Sequence, residues 1–108
     1  MIVTIVSSKK HRAQIEEQYQ KLTKENHIVL TPIKIDISHK VFDYAGKLTV
    51  SEDQLMALHK AKIDICDMVL VLNVNGYIGR SMCEEIGYAI THGKTVEYLE
   101  PLSEFVEN

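Results

Sequence analysis

Residues 66–101 read CDMVLVLNVNGYIGRSMCEEIGYAITHGKTVEYLEP, and the pattern of this stretch predicts the fold. The apolar run at 67–73 is bounded by polar residues, which is typical of a buried strand. A second short strand is predicted at 95–99, and the residues between the two have the periodicity of a helix. A strand, a helix and a strand at this spacing predict a parallel pair joined by a right-handed crossover. In such a unit the loop after the first strand lies at the carboxyl edge of the sheet, where ligands bind.

The helix of this unit has recognisable ends. A glycine-containing turn at 75–79 precedes it, and Ser81 is a suitable N-cap. Glu84 follows three residues later, which is the spacing of a capping box. Gly93 is a suitable residue just beyond the last turn, where a left-handed conformation commonly ends a helix. These signals predict a helix over residues 81–92.

The two adjacent glutamates of this helix take different positions on a helical wheel. At about 100° per residue, Glu84 points away from the apolar face, whereas Glu85 falls at its margin. A carboxylate at that margin, in the first turn, is partly desolvated while the helix N-terminus favours its charge. Glu85 is therefore a candidate nucleophile or general base. The predicted apolar face consists of Met82, Cys83, Ile86, Ala89, Ile90 and Gly93.

The rest of the chain extends the same alternation of strands and helices. Further strands are predicted at 2–6 and 28–33, and further helices at 9–25 and 52–65. This order predicts an α/β fold, one domain over 1–108 with a doubly wound parallel sheet of four to five strands. In the flavodoxin-like strand order, a crevice opens between the first and third strands. Glu85 is then expected at the floor of that crevice.

Polar residues follow the strands that border the predicted crevice. Ser7 and Ser8 come directly after the first strand, where hydroxyls and free N–H groups suit an anion, although plain capping of the next helix is the alternative. The long connection at 34–50 carries Asp43 and Tyr44, which suit a hydroxyl and a stacked base or sugar. Alternatively, its aromatic residues only pin the connection to the core. The loop and helix start after the third strand supply the remaining candidate ligand residues, Asn73, Gly76, Gly79, Arg80 and Ser81.

The helix predicted at 52–65 carries two apolar stripes. The stripe expected to pack on the sheet consists of Leu55, Leu58, Ala61 (or Lys62) and Ile65. The second stripe, with Met56 and Ile63, predicts a homodimer or larger assembly that uses Met56, His59 or Ile63. A helix tucked deeply into its own domain also has two stripes, so that interpretation stays open.

Composition excludes several classes of protein. The 108 residues carry a net charge of −3 with a pI near 5.9, so there is no basic footprint for nucleic acid. No run is long enough to span a membrane, and the apolar start is too short for a signal peptide. The two cysteines, Cys66 and Cys83, predict buried thiols in a reducing cytoplasm. The five histidines lack metal-ligand spacing, and no motif predicts a cofactor.

The string EIGYA at 85–89, followed by Gly93-Lys94 and an apolar strand, resembles a motif of the nucleoside 2-deoxyribosyltransferase family. It is also similar to the related deoxynucleoside 5′-monophosphate N-glycosidases, and the resemblance covers roughly residues 65–100. It implies that Glu85 is the nucleophile, which attacks the anomeric carbon of the sugar and forms a glycosyl-enzyme. The family carries an aspartate six residues before that glutamate, where this chain has Gly79. The stretch that runs from LHKAKID at 58–64 to GYIGRS at 76–81 looks more like small bacterial members of the same superfamily.

The resemblance implies a nucleoside or nucleotide ligand and an N-glycosidase or glycosyl transferase activity. Arg80 and Ser81 are expected to bind a 5′-phosphate, and Asp43 and Tyr44 are candidates for the acid that protonates the leaving base. Two other interpretations remain. In one, the protein is a non-catalytic nucleotide or nucleotide-sugar sensor in which Glu85 holds ribose hydroxyls. In the other, it is a partner-binding subunit with a vestigial site.

Overall fold

Four parallel strands form the centre of the structure, a computed structural model that describes residues 1–32 and 52–102. The sheet order β2-β1-β3-β4 confirms the predicted doubly wound α/β fold. Each predicted end lies within three residues of the observed one. The strands are β1 (Ile2–Val6), β2 (Ile28–Leu30), β3 (Met68–Val71) and β4 (Thr95–Tyr98), and the helices are α1 (Arg12–Lys24), α2 (Glu52–Ile65) and α3 (Arg80–Thr91).

Helices cover both faces of the central strands, which is why β1 and β3 are apolar without alternation. On one face, α1 contributes Ile15 and Leu22 to a core formed with Val3, Ile5, Leu70 and Leu72. On the other face, α2 and α3 pack on the side chains of Val6, Val69 and Val71. The two helices contribute Ile63, Met82, Ile86 and Ala89 to this second core.

The two central strands end level with each other. Val6 of β1 pairs with Val71 of β3, and the N–H of Leu72 donates to the carbonyl of Val6 at 2.9 Å. Because the strands are parallel, the loops after β1 and β3 leave the same edge of the sheet. The predicted crevice position between these loops is therefore consistent with the observed register.

Two polar side chains tie the opposite, amino ends of the strands to their neighbours. Asp67 accepts a hydrogen bond on Oδ2 from the N–H of Ile2 at 2.7 Å. Lys94 donates from Nζ to the carbonyls of Asp64 and Cys66, at 2.9 and 3.0 Å. The ammonium group thus satisfies carbonyls at the end of α2 that have no helical partner, and it joins that end to the start of β4.

The start of α3 differs from the prediction. Gly79, rather than Ser81, is the N-cap, because the carbonyl of Gly79 already accepts the helical hydrogen bond from Cys83 at 2.9 Å. A Cβ on Gly79 would lie 2.8 Å from the hydroxyl of Tyr77, so the packing of that side chain favours glycine here. The predicted end is confirmed, since Gly93 has a φ of +73°.

The buried face of α3 is also rotated from the predicted one. Cys83 and Ile90 are exposed, Ile90 by 58%, whereas Glu85 is only 7% exposed. The predicted face was the one that packs on the sheet. Helix α3 also packs against α2, so its buried surface extends to Glu85. The expectation of two buried thiols is therefore correct for Cys66 and wrong for Cys83.

The two stripes of α2 exchange roles relative to the prediction. Ile63 is fully buried in the core against the sheet, whereas Leu58 and Ile65 are 47% and 61% exposed. A sequence pattern reports how apolar residues are spaced, but it does not say which of two stripes faces inward. Ile63 therefore cannot contribute to an assembly surface. The homo-oligomer itself stays a prediction.

This orientation of α2 predicts that the two isoleucines near its C-terminal end, Ile63 and Ile65, contribute very differently to the free energy of unfolding. Ile63→Ala should lower the free energy of unfolding by about 2–5 kcal/mol, because it leaves a cavity in the core. Ile65→Ala, the matched control on the exposed side, should change the free energy of unfolding of the isolated monomer by less than about 0.5 kcal/mol. Urea denaturation of both variants measures the difference, and equal costs would contradict the orientation.

Candidate functional site

Glu85 is a buried carboxylate held by a histidine from the neighbouring helix. It projects from α3 toward α2, and its Oε2 lies 2.9 Å from Nδ1 of His59. Burial of a carboxylate costs free energy unless the group has a hydrogen-bond partner or a nearby positive charge, and the His59 ring is such a partner. The prediction that Glu85 is desolvated is confirmed, although it lies deeper than the expected margin.

Lys62 adds a second basic group next to this pair. It follows His59 by three residues on α2, and its Nζ donates to the carbonyl of Thr31, just after β2, at 2.7 Å. Burial lowers the pKa of Lys62 below its ordinary value of 10.5, while the negative charge of Glu85 acts in the opposite direction. A carboxylate, an imidazole and an amine therefore lie together beside the carboxyl end of β2.

The outer rim of the contact between α2 and α3 is polar and exposed. Glu84 faces solvent as predicted, and its carboxylate lies 3.6 Å from Nζ of Lys60. Tyr88 donates its hydroxyl to Asp64 at 2.7 Å, and this hydrogen bond raises the pKa of Tyr88. These contacts join α2 and α3 at the surface, and the pair of Glu85 and His59 is more deeply buried.

The turn after β1 is partly explained by capping. Ser8 accepts a hydrogen bond on Oγ from the N–H of Lys10 at 3.3 Å and caps a single 3₁₀ turn, Lys9–His11. Ser7 donates its hydroxyl to the carbonyl of Ser8 at 3.2 Å. Ser8 therefore caps the turn, as the alternative interpretation expected. The anion-binding role of Ser7 and Ser8 remains a prediction.

Tyr77 joins the two loops that border the predicted crevice. The ammonium of Lys10 lies 3.6 Å from the centre of the Tyr77 ring, which is a cation–π contact. The His11 ring meets the same tyrosine edge-on, with the ring centroids 5.9 Å apart. The loops after β1 and β3 are thus adjacent, as expected. The sequence offered one signal for Tyr77, an aromatic residue within a glycine-containing turn.

The side chain of Asn73 is hydrogen-bonded to the backbone of Glu100. Its side chain is 1% exposed, donates from Nδ2 to the carbonyl of Glu100 and accepts on Oδ1 from the N–H of the same residue, both at 2.9 Å. Gly76 has a φ of +79° in the following turn, a conformation that favours glycine. These two candidate residues therefore shape the loop.

The other candidate ligand residues divide into two groups. Arg80 and Ser81 are exposed in the first turn of α3, beside the N-cap Gly79, where free N–H groups suit an anion. Asp43 and Tyr44 lie outside the described residues. The site residues that the sequence reasoning missed are His59, Lys62 and Tyr77. His59 and Lys62 lie among other polar residues of α2, so neither stands out in the sequence.

Neither a metal centre nor a membrane-crossing helix occurs within 1–32 and 52–102. In that part of the chain no group of three or more His, Cys, Asp or Glu side chains is arranged to hold a metal ion. No helix there combines the length and apolar character that crossing a bilayer requires.

No protein-family model matches the chain, and no curated protein matches it significantly. The contacts of Glu85 and the resemblance of its motif are therefore the basis for a functional proposal.

The coupling between Glu85 and Lys62 gives a direct test of the site. Glu85→Gln removes the negative charge that favours the protonated amine, so the pKa of Lys62 should fall further below 10.5. Glu84→Gln is the matched control, because that carboxylate is exposed and lies beside Lys60. Carbon-detected NMR titration of the lysine side chains measures both. An unchanged Lys62 in Glu85→Gln would mean that the two groups do not interact.

Proposed function

We propose that the protein binds a nucleoside or nucleotide and hydrolyses or transfers its N-glycosidic bond, with Glu85 as the nucleophile. The observation that carries the proposal is the buried Glu85 carboxylate, held at 2.9 Å by His59. The resemblance of residues 85–89 to the deoxyribosyltransferase motif supports the same role. A desolvated and oriented carboxylate is what nucleophilic catalysis at an anomeric carbon requires.

The reaction proceeds by exchange of one bond at the anomeric carbon for another. A Glu85 oxygen forms a bond to that carbon while the bond to the base nitrogen breaks through an oxocarbenium-like transition state. The departing base takes the bonding electron pair and a proton from water. Water then cleaves the glycosyl ester in a hydrolase, whereas a second base does so in a transferase.

The first turn of α3 suits the 5′-phosphate of a nucleotide. Exposed Arg80 and Ser81 lie beside free backbone N–H groups, and Lys10 approaches from the turn after β1 through its contact with Tyr77. Nucleotides are abundant in the cytoplasm, and the free thiols of Cys66 and Cys83 fit a reducing compartment. We therefore propose a cytoplasmic protein that acts without a cofactor.

A non-catalytic nucleotide or nucleotide-sugar sensor is the second candidate. One observation favours it: Gly79 takes the position where the related family carries an aspartate. In a sensor, Glu85 would hold ribose hydroxyls instead of attacking the sugar. A partner-binding subunit would instead use the exposed apolar residues of α2.

Substitutions of the two neighbouring glutamates separate these functions. Glu85→Ala should abolish release of free base, and Glu85→Gln should do nearly the same while keeping much of the ligand affinity, because an amide is a poor nucleophile. Glu84→Ala should cost less than about tenfold, since it alters only a surface contact. Chromatographic measurement of released base across nucleosides and nucleotides, with calorimetric binding of each variant, provides the test.

Two outcomes of that experiment count against the catalytic proposal. Full activity in Glu85→Gln would exclude a covalent mechanism through this residue. A wild-type protein that binds a nucleotide tightly but releases no base from any compound would favour the sensor.

We also propose that the protein forms a homodimer or larger assembly through the outward face of α2. Leu58, Ala61 and Ile65 form an exposed stripe there, and two copies of one helix can pair about a two-fold axis. Burying this stripe would also stabilise so small a domain.

Charge placed on that face should disrupt the assembly. Ile65→Lys should give the monomer mass in light scattering, whereas the wild type gives a multiple of it. Ile28→Lys is the matched control, because Ile28 is 62% exposed on the edge strand β2, compared with 61% for Ile65. Dissociation by Ile28→Lys alone would move the interface to that edge, and a monomeric wild type would contradict the proposal.

A further inference from the structure

The two ring nitrogens of His59 have unequal surroundings. Nδ1 lies 2.9 Å from Oε2 of Glu85. Nε2 is buried, and no residue in the described part of the chain forms a hydrogen bond with it. An ionised carboxylate only accepts hydrogen bonds, so the proton on the Glu85 side belongs to Nδ1.

The surroundings also favour a neutral imidazole. A second proton would turn the buried Nε2 into a donor without an acceptor, which costs free energy. This geometry fits a ring that carries a single proton, on Nδ1.

The two oxygens of Glu85 are also unequal. Oε2 accepts the hydrogen bond from His59, whereas Oε1 has no hydrogen-bond partner among residues 1–32 and 52–102. A glutamate side chain has several rotatable bonds, and one strong contact on one oxygen restricts the direction of the other. Among the contacts within 1–32 and 52–102, Oε1 is the oxygen left to form a bond to carbon.

We infer that His59 is a positioning residue for Glu85, an inference that rests on the proposed function. Its Nδ1–H holds Oε2 and directs Oε1 at the anomeric carbon. Oε1 forms the bond to that carbon, the base leaves with the electron pair and a proton from water, and the Nδ1 proton stays on His59 throughout. The histidine thus orients the nucleophile and disperses its charge without changing its own protonation state.

Three substitutions of His59 test this role by geometry. Asparagine carries an N–H close to the position of Nδ1, whereas glutamine carries one close to Nε2 and alanine carries none. His59→Ala and His59→Gln should lower kcat by about tenfold to a hundredfold with little change in KM, the scale of losing an orienting partner. His59→Asn should recover most of the loss. Urea unfolding of all three shows that each variant is folded.

A second measurement does not depend on turnover. Nitrogen-15 NMR of the histidine ring should show Nδ1 protonated and Nε2 unprotonated in the resting protein at neutral pH. An Nε2–H tautomer or an imidazolium would overturn the inference, and so would an active wild type whose kcat survives His59→Ala. A wild type that releases no base overturns the proposed function and the positioning role together, whereas loss of the His59 effect in an active enzyme overturns only the latter.

Discussion

The parallel pairing of β1 with β3 is the constraint on which the rest of the structure depends. Val6 and Val71 lie side by side, so both strands end at one edge and their loops meet through Tyr77. The pair needs cover on both faces, because its side chains are apolar on both. Helix α1 covers one face, and α2 and α3 together cover the other. The contact between those two helices then creates the setting of Glu85.

Glu85 lies in that contact with partners that offset the cost of its burial. Burying a lone carboxylate costs free energy unless the group is hydrogen-bonded or lies near a positive charge. His59 supplies a hydrogen bond at 2.9 Å, and Lys62 supplies a nearby positive charge. Because both partners come from one helix, three residues apart, any rotation of α2 would disturb them together. The position of α2 is therefore as important to the carboxylate as the position of α3.

The sequence predicted the strands and the helix spans well, because short apolar runs bounded by polar residues and a Gly93 helix end are local signals. It failed where the outcome depends on which surfaces meet. Ile63 and Ile65 belong to different stripes of α2, and only packing decides that Ile63 faces the sheet. Gly79 rather than Ser81 is the N-cap of α3, and the packing of Tyr77 favours glycine at that position. The pairing of Glu85 with His59 joins two helices and has no signature within either one.

The strand order also bears on how the chain reaches this state. In the sheet, β1 pairs on one edge with β2, which follows it in the chain, and on the other edge with β3, which is synthesised much later. Before β3 is synthesised, the edge of β1 that will pair with it is open. β1 is an apolar strand, and an open edge of such a strand can pair with strands of other molecules. Because Val3 pairs with Met68, completion of the sheet requires a contact between distant parts of the chain, and such contacts slow folding. Conditions that delay β3 should therefore favour aggregation of the nascent protein over its folding.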